Sequence, residues 1–266
     1  MVWHRQWLWL FFVPLLAACD RYREDIDYRY RVEYAWQEPG ISGEFSLFQD
    51  VAWDPSVAQT VRSLVSESLV GQRTVLDLFS GPGVNAVICG HEGADRVLSF
   101  AESEVAAACA RYNVAAHGQD AVVTVRLLDW QGAPMLARSE RFDVILATLM
   151  SDASDNRERH LQVTLQCVAE HLNPSGRAFV ICQDQPMVDL LKSASEEMKL
   201  TMLLPTPRPN PLAGGGPAAS LPSQGTSSPV TPSPVTPSPA TQDRPLLPIW
   251  ELRRPPSPAV APASPS

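Results

Sequence analysis

Nine residues carry the strongest chemical signal in the chain: Val75-Leu76-Asp77-Leu78-Phe79-Ser80-Gly81-Pro82-Gly83. A buried strand ending in an acid, then a glycine-rich turn into a helix, is how α/β folds expose backbone N–H groups to a cofactor. Gly81 and Gly83 permit a tight turn and a close approach of ligand to backbone. The spacing is not G-x-G-x-x-G, which argues against a dinucleotide fingerprint, and no G-K-[ST] follows, which excludes a P-loop. Other reactive side chains are sparser. Cys19, Cys89, Cys109, Cys167 and Cys182 form no C-x-x-C pair and have no ligand-like spacing with histidine, so no metal site is expected. The last four read as small buried hydrophobes. His91, His117, His160 and His171 fall at helix ends or faces and take no catalytic task. No general base stands out. Asp152 and Asp155 are placed to accept a substrate proton, but capping the helix that follows is the better-supported role.

The elements that must position these residues alternate along the chain. From Arg73 onward, "TVLDLF", "RVLSF", "VVTVRLLD", "FDVILATL", "RAFVIC" and "KLTMLLP" read as strands. Between them "GVNAVICGHEG", "SEVAAACARYNVAAHG", "ERHLQVTLQCVAEHL" and "PMVDLLKSASEEM" read as helices. Such alternation predicts an α/β fold: a three-layer sandwich with a mostly parallel sheet covered by helices on both faces. "LPIWELRR" (247–254) predicts a seventh and last strand, antiparallel to "KLTMLLP". Upstream, "DYRYRVEYAW" (27–36) alternates strictly, with Tyr28, Tyr30, Val32, Tyr34 and Trp36 on one face. With the turn residues "QEPGISG" and the strand "EFSLF" it predicts an N-terminal β-hairpin. "DPSVAQTVRSLVSESL" predicts a helix with Asp54 as N-cap, Pro55 in its first position, and Val57, Val61, Leu64 and Val65 along one stripe.

Composition bounds the partners and the organisation. The chain of 266 residues is 45% hydrophobic, enough for a sizeable core, and its net charge of −8 argues against a broad grip on nucleic-acid phosphates. Eighteen of the 25 prolines lie from Pro205 onward, and the repeat "PVTPSPVTPSP" marks low complexity, so the segment after Thr206 is expected to be a disordered insertion between the last two strands. The N-terminus carries Arg5 and then an apolar run of about 13 residues, Trp7 to Cys19. That is short of the ~20 needed to span a bilayer and fits the core of an export signal. Its end, Leu16-Ala17-Ala18-Cys19, resembles a bacterial lipobox, which implies lipidation at Cys19 and a membrane-anchored lipoprotein of the cell envelope. The alternative is an uncleaved N-terminus and a cytoplasmic protein. The expected division is 1–19 signal and lipobox, 20–50 hairpin, 51–205 main domain, 206–244 insertion, 245–254 final strand and 255–266 disordered tail.

Over residues 44–204 and the late strand, the chain resembles the class I, seven-strand, Rossmann-like S-adenosylmethionine-dependent methyltransferases. "VLDLFSGPG" resembles their first motif, which implies S-adenosyl-L-methionine as cofactor. It also implies Asp77 near the methionine end, with Phe79, Ser80, Gly81 and Gly83 forming the turn beneath it. "GADRVLSFAESEVAAACARYNVAAHG", "FDVILATLMSDA" and "HLNPSGRAFVI" are similar to lysine methyltransferases acting on a large-subunit ribosomal protein. "AWDPSVAQTV" and "VRLLDW" are similar to seven-strand protein-lysine methyltransferases that modify chaperones and calmodulin. By that resemblance Asp129 and Trp130 border the adenine, the aromatic by stacking.

Two departures qualify what the resemblance implies. The acid expected at the end of the second strand is Ala101, with Glu102 one place later. A one-residue shift points a side chain to the other face of a sheet, so Glu102 either serves the ribose through the turn or stands as a solvated acid at a helix start. After the fourth strand, Ala147-Thr148-Leu149-Met150 replaces the Asn/Asp-Pro-Pro-Tyr/Phe of enzymes that methylate amide or base nitrogens. Thr148 either accepts a hydrogen bond from a ligand or is satisfied internally. The resemblance therefore implies methylation of a protein lysine or a small-molecule amine, with that acceptor as partner. The alternative is a membrane-anchored binding module that keeps the fold without catalysis.

Overall fold

The computed structural model describes residues 30–129, 136–150, 156–203 and 247–254. Cys19, Trp130, Asp152, Asp155 and the proline-rich stretch lie outside the described residues, as do the expectations that rest on them. The hairpin consists of β1 (Val32–Trp36) and β2 (Phe45–Phe48), followed by helices α1 (Pro55–Leu64) and α2 (Glu67–Val70). Alternation then begins: β3 (Thr74–Leu78), α3 (Val84–His91), β4 (Arg96–Ala101), α4 (Glu104–Ala116), β5 (Val123–Leu127) and β6 (Phe142–Leu149). It closes with α5 (Arg157–His171), β7 (Leu172–Cys182), α6 (Gln185–Glu197), β8 (Thr201–Leu203) and β9 (Ile249–Arg253).

The main sheet has seven strands in the order β5-β4-β3-β6-β7-β9-β8. Strands β5, β4, β3, β6 and β7 run parallel to one another, and β9 is antiparallel to both β7 and β8. This is the predicted three-layer sandwich with its last strand antiparallel. Successive residues of each strand feed opposite faces. Val75, Val97, Val144, Leu146, Phe179 and Ile181 pack with α1, α3, α4 and the hairpin, whereas Leu76, Leu98, Ile145, Ala147 and Val180 pack with α5 and α6. Both faces are apolar because both are covered. Cys89, Cys109, Cys167 and Cys182 are buried and free, as small hydrophobes would be.

Three local expectations are corrected. The strict alternation of the first strand is broken by a register shift between Val32 and Tyr34, which leaves Val32 exposed. A bulge inserts one residue and so resets which side chains face inward. The helix from Asp54 does not run through Leu69. It ends at Leu64, where Val65 takes an extended conformation and buries its side chain, and a single-turn helix follows. Strand β7 begins at Leu172 rather than after Asn173-Pro174-Ser175-Gly176. Leu172 pairs with Phe142 and Arg177 with Val144, so those four residues bulge out of the ladder. At the remaining helix termini, the start of α1 included, the chemistry follows the sequence. Asp54 Oδ1 accepts from Ser56 N at 2.9 Å, Ser103 caps α4 through Ala106 N, and Gly118 ends it at φ +65°.

Among the described residues, no helix is long and apolar enough to cross a membrane.

Candidate functional site

The chain leaves β3 for β4 and β5 on one side and crosses to β6 on the other, so β3 and β6 are adjacent at the point where strand order reverses. In open α/β sheets, ligands bind beyond the carboxyl ends of the strands at such a point. A cluster of buried polar groups lies there. Asp77, Ser99 and Thr148 belong to the same face of three neighbouring strands, with Asp77 in register with Ser99 and with Leu146. Asn85, at the start of α3, faces them. All four are buried. Ser99 Oγ donates to Asp77 Oδ2 at 3.0 Å, and Asn85 Nδ2 donates to Thr148 Oγ1 at 3.2 Å.

The turn above the cluster is tightly wound. Phe79, Gly81 and Gly83 all adopt positive φ, at 62°, 49° and 81°. For Phe79 this backbone state is strained, and the ring is held by packing on His160, with centroids 4.3 Å apart. Ser80 N donates to Phe100 O at 3.0 Å and Gly83 N to Ser80 O at 2.8 Å. Contacts within the chain account for the absence of a side chain at both glycines. A Cβ on Gly83 would stand 2.9 Å from Ala110 Cα and Cβ, and one on Gly81 would stand 3.0 Å from Ala52 O and 3.7 Å from Trp53 Cε3.

Electrostatics single out Asp77. Burial, the dominant cause, pushes its carboxyl up to about 7. The Ser99 and Asn85 side chains favour the ionised form, and the nearby charge of Glu102 opposes it. Glu102 thus acts on the cluster from just beyond the end of β4. Had the strand continued, alternation would have turned it to the α5 face. Ala101 itself is fully buried in the core on the α4 face. Asp129 is exposed, and the preceding Leu128 N donates to Ala101 O at 2.8 Å, which brings Asp129 to the same strand ends as Glu102. Asp77, Ser80, Gly81, Glu102 and Thr148 therefore gather at one end of the sheet. Gly83 belongs to the packing of α3 on α4, and Phe79 to the packing of the turn on α5.

Three contributors escape a reading of the sequence: Asn85, Ser99 and Trp53. Asn85 looks like an ordinary polar residue in a helix, and Ser99 like a gap in a strand. Only strand register and the placement of α3 bring them to Asp77. Trp53 lies over Gly81, with its indole N–H buried and without a hydrogen-bond partner among the described residues. Asp77 Oδ1, Ser80 Oγ and Asn85 Oδ1 are likewise buried without such a partner. Buried polar groups are normally paired, so four such atoms around one turn fit a site that takes a polar ligand. Among the described residues, no three His, Cys, Asp or Glu side chains are grouped to hold a metal.

The strand order and layering are those of the class I, Rossmann-like S-adenosylmethionine-dependent methyltransferase fold. Two of the solved structures that share it illustrate the likeness. A putative SAM-dependent methyltransferase from Streptococcus mutans matches with a TM-score of 0.54 at 15% identity, covering 83% of this chain and 55% of its own. SMU.776, a putative methyltransferase complexed with SAH, matches with a TM-score of 0.51 at 18% identity, covering 65% of this chain and 49% of its own. In sequence, the chain is 25% identical over 191 residues to the ribosomal protein L11 methyltransferase of Lactobacillus johnsonii. That match takes in 68% of this chain and 56% of the relative, so the chain spans about half the length of the curated protein it matches. No family profile matches the sequence.

Proposed function

We propose that the cluster beneath the Phe79–Gly83 turn binds S-adenosylmethionine, with Asp77, Ser80, Asn85 and Glu102 as its polar contacts and Asp129 and Trp130 on the adenine side. The observation that supports this most is the coincidence of fold and orphaned polarity. A methyltransferase-type sheet places unpaired Asp77 Oδ1, Ser80 Oγ and Asn85 Oδ1 at its switch point. When bound, the cofactor supplies an electrophilic methyl group on a sulfonium. The chain's own part is to bind and orient it: an ionised Asp77 would pair with a cationic ammonium in a site from which water is excluded.

Two uses of such a site follow. One is transfer of the methyl to an amine on a protein lysine or a small molecule, where holding the reactants in line supplies most of the acceleration. The other is a binding module that keeps the fold and the pocket without turnover. The second asks less of the chain, and particular residues favour it. Ala101 replaces the acid expected at the end of β4, Thr148 Oγ1 already accepts a hydrogen bond from Asn85, and both turn glycines are pressed by neighbouring residues. A lipid anchor at Cys19 would suit a module held at a membrane. Labelled fatty acid retained by the full chain and lost in Cys19→Ser tests that anchor.

The experiment for function is incubation of the full chain with methyl-tritiated S-adenosylmethionine and amine acceptors. Ribosomal protein L11, named for the Lactobacillus johnsonii relative, would be offered first. Transfer abolished by Gly81→Val would establish the enzyme. Binding without transfer would establish the module. The absence of both binding and transfer would refute the cofactor site.

A further inference from the structure

Asn113, near the end of α4, is fully buried and uses three hydrogen bonds to join parts of the molecule distant in sequence. Its Oδ1 accepts from Ser46 N at 2.8 Å, and its Nδ2 donates to Ser46 O and to Pro82 O, each at 2.8 Å. Both amide hydrogens are thereby committed, one to strand β2 of the hairpin and one to the turn that follows Asp77. The same face of α4 extends the contact in both directions. One turn earlier, Ala110 is the surface against which Gly83 is pressed, and Cys109 Sγ donates to Ser46 O at 3.2 Å. One turn later, His117 stacks on Phe45 with centroids 4.0 Å apart, and its Nδ1 meets Ser42 O at 3.0 Å. Hairpin, helix and glycine turn therefore form one packed unit.

We infer that Asn113 is a positioning residue for the glycine turn, and that through it the N-terminal hairpin is a working part of the cofactor site. The functional half of this rests on the proposed binding of S-adenosylmethionine; the positional half does not. Pro82 has no N–H and its carbonyl is buried in the turn, so the Asn113 donor fixes the orientation of the Pro82–Gly83 peptide. Gly83 N in turn closes the turn by donating to Ser80 O, and Ser80 Oγ is one of the orphaned atoms of the site. Loosening the hairpin would release the turn.

Asn113→Asp in the full chain tests this. The substitution keeps the shape and the acceptor toward Ser46 N–H but turns a carboxylate oxygen toward two carbonyls. Hydrogen exchange resolved to single amides, without ligand, should show Gly83 exchanging about tenfold faster, the loss expected when a buried donor is removed. Calorimetry with S-adenosylmethionine, at a temperature where circular dichroism shows both proteins folded, should show affinity about tenfold weaker. A purely structural clamp would lower the melting temperature and leave both readings unchanged in the folded variant, and that result would overturn the inference. Should Asn113→Asp not fold, His117→Ala loosens the unit from the hairpin side. Faster exchange at Gly83 then upholds the coupling, and acceleration confined to Phe45–Phe48 overturns it. If the unmodified chain binds no cofactor, the exchange arm still decides the positional claim, and the functional reading fails separately.

Discussion

Two buried carboxylates of the one sheet, Glu251 and Asp77, are solved in opposite ways. Glu251, on β9, receives Arg177 in a two-point pair at 2.8 Å and 2.8 Å and Arg253 at 2.6 Å. Its own burial opposes ionisation, but hydrogen bonds and charge from Arg177 and Arg253 outweigh it and hold the carboxyl below the usual glutamate range. Asp77, on β3, takes a hydrogen bond from Ser99, meets no cation among the described residues, and has an acid for a neighbour; its carboxyl is pushed up to about 7. A carboxylate that only holds strands together is paired, as Glu251 is where it locks the returning strand onto β7. One left without a cation in the interior costs stability and persists where it serves something else. The contrast separates architecture from site within a single sheet.

Replacing each acid by its amide should expose the difference most visibly. Asp77→Asn removes the buried carboxyl and is expected to raise stability by up to about 4 kcal/mol above pH 7, the cost of ionising a carboxyl that folding has moved from the ordinary aspartate range to about 7. Because the folded value is raised, the wild-type contribution is complete below about pH 4 and is lost as pH rises through about 7. The gap between variant and wild type in thermal melts should therefore open over that window. A gap independent of pH would mean that the Asp77 carboxyl is not raised by burial without a cation.

Next in size is Gly83→Ala, which asks whether the cover over Asp77 is rigid. With φ at 81° and Ala110 in the way, it should cost about 3 kcal/mol in denaturant unfolding. Glu251→Gln should cost about 2 kcal/mol, less than a fully enclosed pair because Arg177 and Arg253 are partly solvated. Here the sign of the pH dependence reverses. The folded value is depressed, so the contribution is present above pH ~4.5 and disappears below it. The smallest effect is expected from Glu102→Gln. Removing that charge should lower the titration midpoint of Asp77, read by carboxyl NMR, while changing stability by less than about 1 kcal/mol. A midpoint that does not move would place Glu102 outside the cluster.

Much of this architecture is legible in the sequence because it depends on local periodicity. The strand and helix alternation, the cap at Asp54, the stop at Gly118 and the antiparallel return of "LPIWELRR" all follow from residue type and spacing. The bulge at Val32, the break at Val65 and the bulged start of β7 are not legible, since each is decided by what the neighbouring strand or core accepts. The site divides in the same way. Asp77 and the turn announce themselves as a motif. Asn85, Ser99 and Trp53 become partners only through register and helix placement. The position of Glu102 turns on a single residue at a strand end, where alternation ceases to apply.

Whether the Asp77 cluster is a cofactor site is decided by calorimetric titration of the full chain with S-adenosylmethionine, beside Gly81→Val and Asp77→Asn, across pH 6 to 8. Micromolar binding is expected, strengthening as Asp77 ionises through about pH 7. Binding should be lost in Gly81→Val, and weakened with no pH dependence in Asp77→Asn. Absence of binding at millimolar ligand by the folded chain, or equal binding by all three proteins, would contradict the assignment of this cluster to the cofactor.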